Sequence, residues 1–174
     1  MFKIIACINK KNAIGKEGSL LYNIKNDMTN FARQTKFNVV IMGRSTFESL
    51  PNKVPLIDRV NIVITSDDDY SIEEYPNSDV YIAHSIQDAV DLCSTLFYDK
   101  EWFVIGGGSI YKQFLDEGLV DEMRLTIVND DSEGDTHFPE FDRDGWRTYY
   151  KSMAQTSTYG GVDNSFYFEV LKKK

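Results

Sequence analysis

The chain has little of several things that mark other kinds of protein. Two cysteines in 174 residues, Cys7 and Cys93, make no disulfide framework, and their spacing matches no metal motif. Both lie in apolar stretches and are expected to be buried free thiols. Histidine is equally scarce. His84 and His137 belong to no visible nucleophile set or ligand cluster, so no metal is expected, and His137 is expected to fix a loop. Lys and Arg number 19 against 27 Asp and Glu, a formal net charge of -8. That excludes broad electrostatic binding of nucleic acid or acidic membrane and leaves room for a local basic pocket. The basic run Lys172-Lys173-Lys174 reads as a solvated end. No apolar stretch is long enough to span a bilayer. The first eight residues lack a signal peptide's charged lead and cleavage site, so the cytoplasm is the expected location. Four scattered prolines mark no linker, and no repeat stands out; one domain, residues 1–174, is expected.

Against those absences stand 42% hydrophobic and 26% charged residues, ordinary values for a globular protein with a sizeable core. Residues 2–8 read as a buried strand and residues 9–22 as a glycine-bearing loop. A helix is predicted over about 24–35 with Asn23 as its N-cap, because Ile24, Met28, Phe31 and Ala32 share one helical face. Residues 39–42 predict a short buried strand ending at Gly43, with a short helix over 45–50. Strands are predicted at 60–65, 80–83 and 102–105, and helical spacing runs through residues 86–97 and 109–115. The remaining strands, 123–128, 146–153 and 165–171, have no helix between them. Alternating strands and helices predict a three-layer α/β/α sandwich around a mostly parallel sheet, with antiparallel C-terminal strands. Tail Phe and Tyr residues are expected in the sheet core.

Two strand-to-helix turns are suited to an anion. Gly43-Arg44-Ser45-Thr46 opens one helix, where free backbone N–H groups and a permanent guanidinium favour phosphate. A surface arginine after a turn is the plainer reading. Gly106-Gly107-Gly108-Ser109 opens another, and its glycines permit close approach of a ligand. Tyr111 stands where the dinucleotide fingerprint wants a glycine, and a tight turn explains the glycines too. Together the turns favour a dinucleotide. Asp27 adjoins the apolar helix face; either it supports the helix's positive end, or it receives paired N–H donors from a ligand. The runs Asp67-Asp68-Asp69 and Asp130-Asp131 lack the glycine and glutamate of a calcium loop and read as solvated.

Taken in order, these residues resemble the dihydrofolate reductase family. The matches are Ala13-Ile14-Gly15; Asp27 with Phe31; Val40-Ile41-Met42-Gly43-Arg44 with Thr46-Phe47-Glu48-Ser49-Leu50; Val104-Ile105-Gly106-Gly107-Gly108 with Ile110-Tyr111; and Gly134-Asp135-Thr136-His137-Phe138-Pro139. They cover essentially the whole chain. The resemblance implies a central sheet of about eight strands and NADPH-dependent reduction of dihydrofolate to tetrahydrofolate. It places Asp27 on the 2-amino group and adjacent ring nitrogen of the pterin, with Leu20 and Tyr22 at the reacting end. Ile5, Ala6, Met28, Phe31, Leu50, Leu56, Ile105, Tyr111 and Thr126 would line the substrate pocket, and Arg59 would bind the glutamate α-carboxylate. Cys7, Ile14 and Gly15 would touch the nicotinamide. Gly43, Arg44, Ser45, Thr46, Thr65 and Ser66 would hold the phosphates and adenosine end. Gly107, Gly108, Ser109, Ile110, Tyr111 and Gln113 would complete the cofactor site, and the loop from Ile14 to Tyr22 would close over it.

The chain also departs from the family. Many members carry Pro-Trp where Leu21-Tyr22 stands, a change that bears on an ordered-water contact near the pterin. A histidine is frequent at the position of Ser45 and an arginine at that of Ser109, so preference for NADPH rests on Arg44 with Ser66. A pyrimidine reductase of riboflavin synthesis shares the fold and cofactor chemistry, and a silent dinucleotide-binding protein is the rival outside catalysis. Asp27 and Arg59 favour folate. No spare hydrophobic stripe demands a partner, so a monomer is expected.

Overall fold

A computed structural model describes residues 1–72, 75, 79–159 and 162–174. The strands are β1 (Phe2–Asn9), β2 (Ala13–Lys16), β3 (Ser19–Leu20), β4 (Val39–Gly43), β5 (Val60–Ile64), β6 (Asp79–Ala83), β7 (Trp102–Gly106), β8 (Val120–Val128), β9 (Thr136–His137), β10 (Trp146–Lys151), β11 (Gln155–Tyr159) and β12 (Val162–Lys173). The helices are α1 (Lys25–Thr35), α2 (Arg44–Ser49), α3 (Ile86–Leu96) and α4 (Gly108–Asp116).

Continuous apolar runs make the central strands because both of their faces are covered. All five residues of β4 and all five of β5 are buried. Alternation then assigns their side chains to opposite faces. Val39 and Ile41 join the core under α3 and α4, with Cys93 and Phe114. Val40 and Met42 point the other way and pack with Phe47 of α2. A smaller cluster of Tyr22, Ile24, Val128 and Phe166 completes this second side beside α1. The result is the predicted three-layer sandwich.

The main sheet runs β10-β12-β8-β1-β7-β4-β5-β6, with β11 also paired to β12, nine strands among the described residues. Neighbours from β8 to β6 pair parallel. Strand β12 runs antiparallel to β8, β10 and β11. β8, grouped in sequence with the helix-free tail, therefore joins β1 in parallel and turns antiparallel at β12 alone.

Several boundaries differ from expectation. Ile24, not Asn23, is the N-cap of α1, and no side chain caps it. Ile24 is fully buried and fixes the chain there by packing. Helix α2 starts one residue early, at Arg44. The predicted strand 146–153 stops at Lys151, and β11 follows separately. Residues 9–22 are not plain loop. β2 and β3 form a hairpin, with β9 on the other side of β2. Its turn residues Glu17 and Gly18 have φ of 50° and 74°, the pair of positive values that suits the twist of a two-residue hairpin. Not all tail aromatics are core: Phe166 is buried, whereas Tyr149 and Tyr150 are exposed. The ammonium of Lys172 lies 3.9 Å from the centre of the Tyr149 ring.

Candidate active site

Strands β4 and β7 are parallel neighbours, and the helices that follow them leave on opposite faces of the sheet. Such a switch opens a crevice beyond the strand ends, where α/β sheets bind ligands. The two glycine turns sit at this point, with Met42 opposite Gly106 in the register. Gly43 and Gly107 are the N-caps of helices α2 and α4, and neither helix carries a side-chain cap. Their first N–H groups therefore remain available to an anion. The turns touch: a Cβ on Gly43 would lie 3.0 Å from Ile110, and one on Gly107 would lie 3.3 Å from the Thr46 hydroxyl. A Cβ on Gly108 would stand 2.3 Å from the carbonyl oxygen of His137, so only glycine fits there. The peptide bond between Gly106 and Gly107 is cis.

Arg44 leaves the same corner. Its Nε donates to Glu48 at 2.8 Å and its Nη1 to Asp67 at 2.7 Å, while the guanidinium stacks 4.3 Å from the Tyr70 ring centre. Two of five N–H donors are used, and the carboxylates hold the fork in place with donors to spare. Thr65 is buried at the end of β5; its N–H donates to Ala83 and its hydroxyl accepts from Asp67 N–H at 3.2 Å. Ser45, Ser66, Ser109 and Gln113 are exposed around this corner, with Gln113 donating to the Ser109 hydroxyl at 3.1 Å. This donor set fits a dinucleotide diphosphate: two uncapped helix ends, a fork-shaped cation and glycines where a Cβ would intrude.

At the other end Asp27 accepts a 2.5 Å hydrogen bond from the Thr126 hydroxyl of β8. Burial pushes its carboxyl above the ordinary carboxylate range, and the Thr126 bond pulls part of the way back. A carboxylate offers about four acceptor positions, so Thr126 leaves it able to take further donors. Cys7 is half-buried rather than buried, and burial followed by the Asp27 charge pushes its thiol well up. Cys93 is buried as expected, its thiol pushed up to about 12. Ile5 and Ala6 form the buried floor on β1. Tyr111 is buried too, and its hydroxyl donates to the Ile5 carbonyl at 2.8 Å, so it ties α4 to that floor.

Met28 is exposed and Phe31 half-buried on α1. The Arg59 guanidinium lies 5.9 Å from the Phe31 ring and donates to the Thr35 hydroxyl at 2.8 Å. Partial burial lowers its pKa, yet it stays a cation at any ordinary pH. Leu50, Leu56 and Ile105, all half-buried, pack on the cluster around Phe47.

The hairpin hangs between these ends. Leu21 N–H donates to the Ile14 carbonyl at 3.1 Å, and Ala13 and Gly15 are buried while Leu20 is 64% exposed. Asp135 grips the turn: its carboxylate accepts from Glu17 N–H at 2.7 Å, and its own N–H donates to Gly15 at 3.1 Å. Tyr22 is buried, and its hydroxyl meets Asn9 and Asp130. Sequence reasoning gave Asn9 no role, named Asp135 only within a family motif, and read Asp130 as solvated, whereas it is half-buried and accepts from the Tyr22 hydroxyl. A polar residue closing an apolar strand was the signal for Asn9, which is 2% exposed at the end of β1.

The fold and this crevice define an α/β protein of the dinucleotide-binding class, with an acidic group at one end of its cleft. Comparison with known proteins narrows that. The family model for dihydrofolate reductase matches residues 1–173. A dihydrofolate reductase of Bacillus subtilis (strain 168) is 35% identical over 147 residues, 84% of this chain and 80% of that protein. One from Buchnera aphidicola is 31% identical over 172 residues, 98% of this chain and 96% of its own. A solved structure of the Enterococcus faecalis dihydrofolate reductase, complexed with NADP(H) and RAB-propyl, superposes with a TM-score of 0.82 at 27% identity, covering 100% of this chain and 96% of that one. The chain belongs to the dihydrofolate reductase family.

Proposed function

We propose that this chain reduces 7,8-dihydrofolate to 5,6,7,8-tetrahydrofolate with NADPH, as a single-domain monomer in the cytoplasm. The observation that carries the substrate is the half-buried Asp27, held on its helix by Thr126 with acceptor capacity to spare. A 2-amino group and its neighbouring ring nitrogen present two parallel donors, the complement of a carboxylate. Arg59, beside Phe31 and Thr35, suits a carboxylate at the far end of an elongated substrate. Two free thiols suit a reducing compartment.

NADPH, when bound, supplies the hydride. The residues around Gly43, Arg44 and Gly107 would hold its phosphates, and Ile14 and Gly15 would cover its nicotinamide end. The ring carbon of the pterin that accepts the hydride becomes saturated, and the adjacent ring nitrogen takes a proton from water. The negative charge of Asp27 favours that protonated nitrogen through the bound ring. The hairpin excludes bulk water while the two rings are aligned. Following NADPH oxidation with dihydrofolate, then with NADH and with methotrexate, tests the reading. Methotrexate-sensitive turnover that prefers NADPH supports it. Turnover on a riboflavin-pathway pyrimidine instead, or binding of NADPH with no turnover on either, refutes it.

A further inference from the structure

The hairpin has a root as well as a tip. Segment 10–21 leaves β1 at Asn9 and returns at Tyr22, and both residues reach the same carboxylate region. Asn9 Nδ2 donates to the Tyr22 hydroxyl at 3.0 Å and to the Ser132 carbonyl at 2.8 Å. Asn9 Oδ1 accepts from the N–H groups of Lys11 at 3.0 Å and Ala13 at 2.9 Å. The Tyr22 hydroxyl donates its proton to the Asp130 carboxylate. Asp130 also accepts from Ser132 N–H at 3.1 Å, and its carbonyl accepts from Lys10 N–H at 3.0 Å. The Tyr22 ring packs with Ile24, the N-cap of the helix that carries Asp27.

We propose that Tyr22 is a positioning residue whose hydroxyl, shared between Asp130 and Asn9, locks the root of the hairpin to the segment after β8 and so sets the hairpin over the substrate. The role as a cover rests on the function proposed above; the lock itself does not. The phenol's one proton is committed to Asp130, so Tyr22 does not deliver a proton to substrate. Burial and the Asp130 bond, in that order, push the phenol up, which keeps that proton in place at neutral pH. Asp130 moves down, through the Ser132 bond first and then the Tyr22 bond. A hydrogen bond to a charged acceptor is strong enough for its loss to free a surface segment.

Amide hydrogen exchange on the ligand-free protein reads the lock without substrate or cofactor. Tyr22→Phe keeps the ring and removes the hydroxyl. Exchange at Ala13, Glu17 and Leu21 is expected to quicken by about tenfold, the equivalent of one charge-assisted hydrogen bond, with the β4 and β7 amides unchanged. Asp130→Ala should do the same, the double variant should be no faster than Asp130→Ala, and Asp130→Asn, which keeps an acceptor oxygen, should restore most of the protection. Single-turnover hydride transfer should fall in Tyr22→Phe and Asp130→Ala and recover in Asp130→Asn. Unchanged hairpin exchange in Tyr22→Phe, or additive effects in the double variant, overturns the proposal. So does a lower melting temperature with normal exchange and normal hydride transfer. A wild-type protein that does not reduce dihydrofolate overturns the function reading instead, and the exchange pattern still decides the lock.

Discussion

Replacing Asp27 with asparagine separates what this carboxylate does for the reaction from what it does to the fold. The side chain keeps its shape and can still accept from Thr126, so packing changes little. The charge is lost, and with it the field proposed to favour a protonated pterin. Losing a positioned acid–base or electrostatic group lowers turnover by roughly 10²–10³-fold, and that is the fall expected at pH 7. The loss should shrink as pH drops, because solvent then protonates the pterin without help. Stability should move the other way. Burial raises the Asp27 carboxyl above its ordinary value, so the folded chain holds this proton more tightly than the unfolded chain. The penalty is therefore absent below the unfolded value, grows as pH rises through the raised folded value, and is complete above it. Asparagine escapes it. Relieving a buried charge of this kind is expected to gain about 0.5–2 kcal/mol, the usual range for a stabilising substitution. For a chain of this length each kcal/mol moves the melting temperature by about 2–4 °C. Steady-state kinetics from pH 5 to 9 and thermal unfolding at pH 5 and 8 provide both readouts. A fall in turnover of less than threefold at pH 7, or one that does not vary with pH, would refute the electrostatic role. A variant less stable than wild type at pH 8 would refute the burial argument.

Thr126→Val should raise the Asp27 carboxyl further, since the lost hydroxyl was the contact pulling it down; the acidic limb of the pH–rate profile should move to higher pH. Arg44→Gln should raise the KM for NADPH far more than that for NADH and flatten its dependence on salt; equal effects on both cofactors would remove Arg44 from recognition of the one phosphate that NADPH carries and NADH lacks. Gly108→Ala drives a methyl into the His137 carbonyl 2.3 Å away, and denaturant unfolding should show a loss of about 1–3 kcal/mol, with NADPH affinity reduced as α4 shifts. Phe103→Ala empties a fully buried site on β7 and should destabilise the protein by about 3–5 kcal/mol, measured the same way.

The layers of this protein were legible in the amino-acid order because they depend on neighbours in sequence. Buried runs such as Val39-Val40-Ile41-Met42 make strands wherever both faces are covered, and helical spacing through Ile86, Ala89 and Cys93 places one face on the sheet. The two glycine turns and the acid beside the apolar helix face at position 27 were visible for the same reason, and the family's motifs supplied roles for them. Boundaries set by packing were less visible: Ile24 starts α1 by burial where Asn23 had the better capping chemistry. The hairpin in residues 9–22 escaped notice because its strands are four and two residues long and its pairing partner, β9, lies far along the chain.

What the order of residues determined, then, is the set of elements, the face each one buries and the kinds of group available to a ligand. Tertiary structure decided which of those groups meet. Thr126 finds Asp27 across 99 residues, Asp130 finds Tyr22 across 108, and Gly43 comes to lie against Ile110 because β4 and β7 are neighbours. A polar side chain's partner is whichever group the closed sheet brings within hydrogen-bond reach. Local propensity carries no information about a contact made only when distant strands pair.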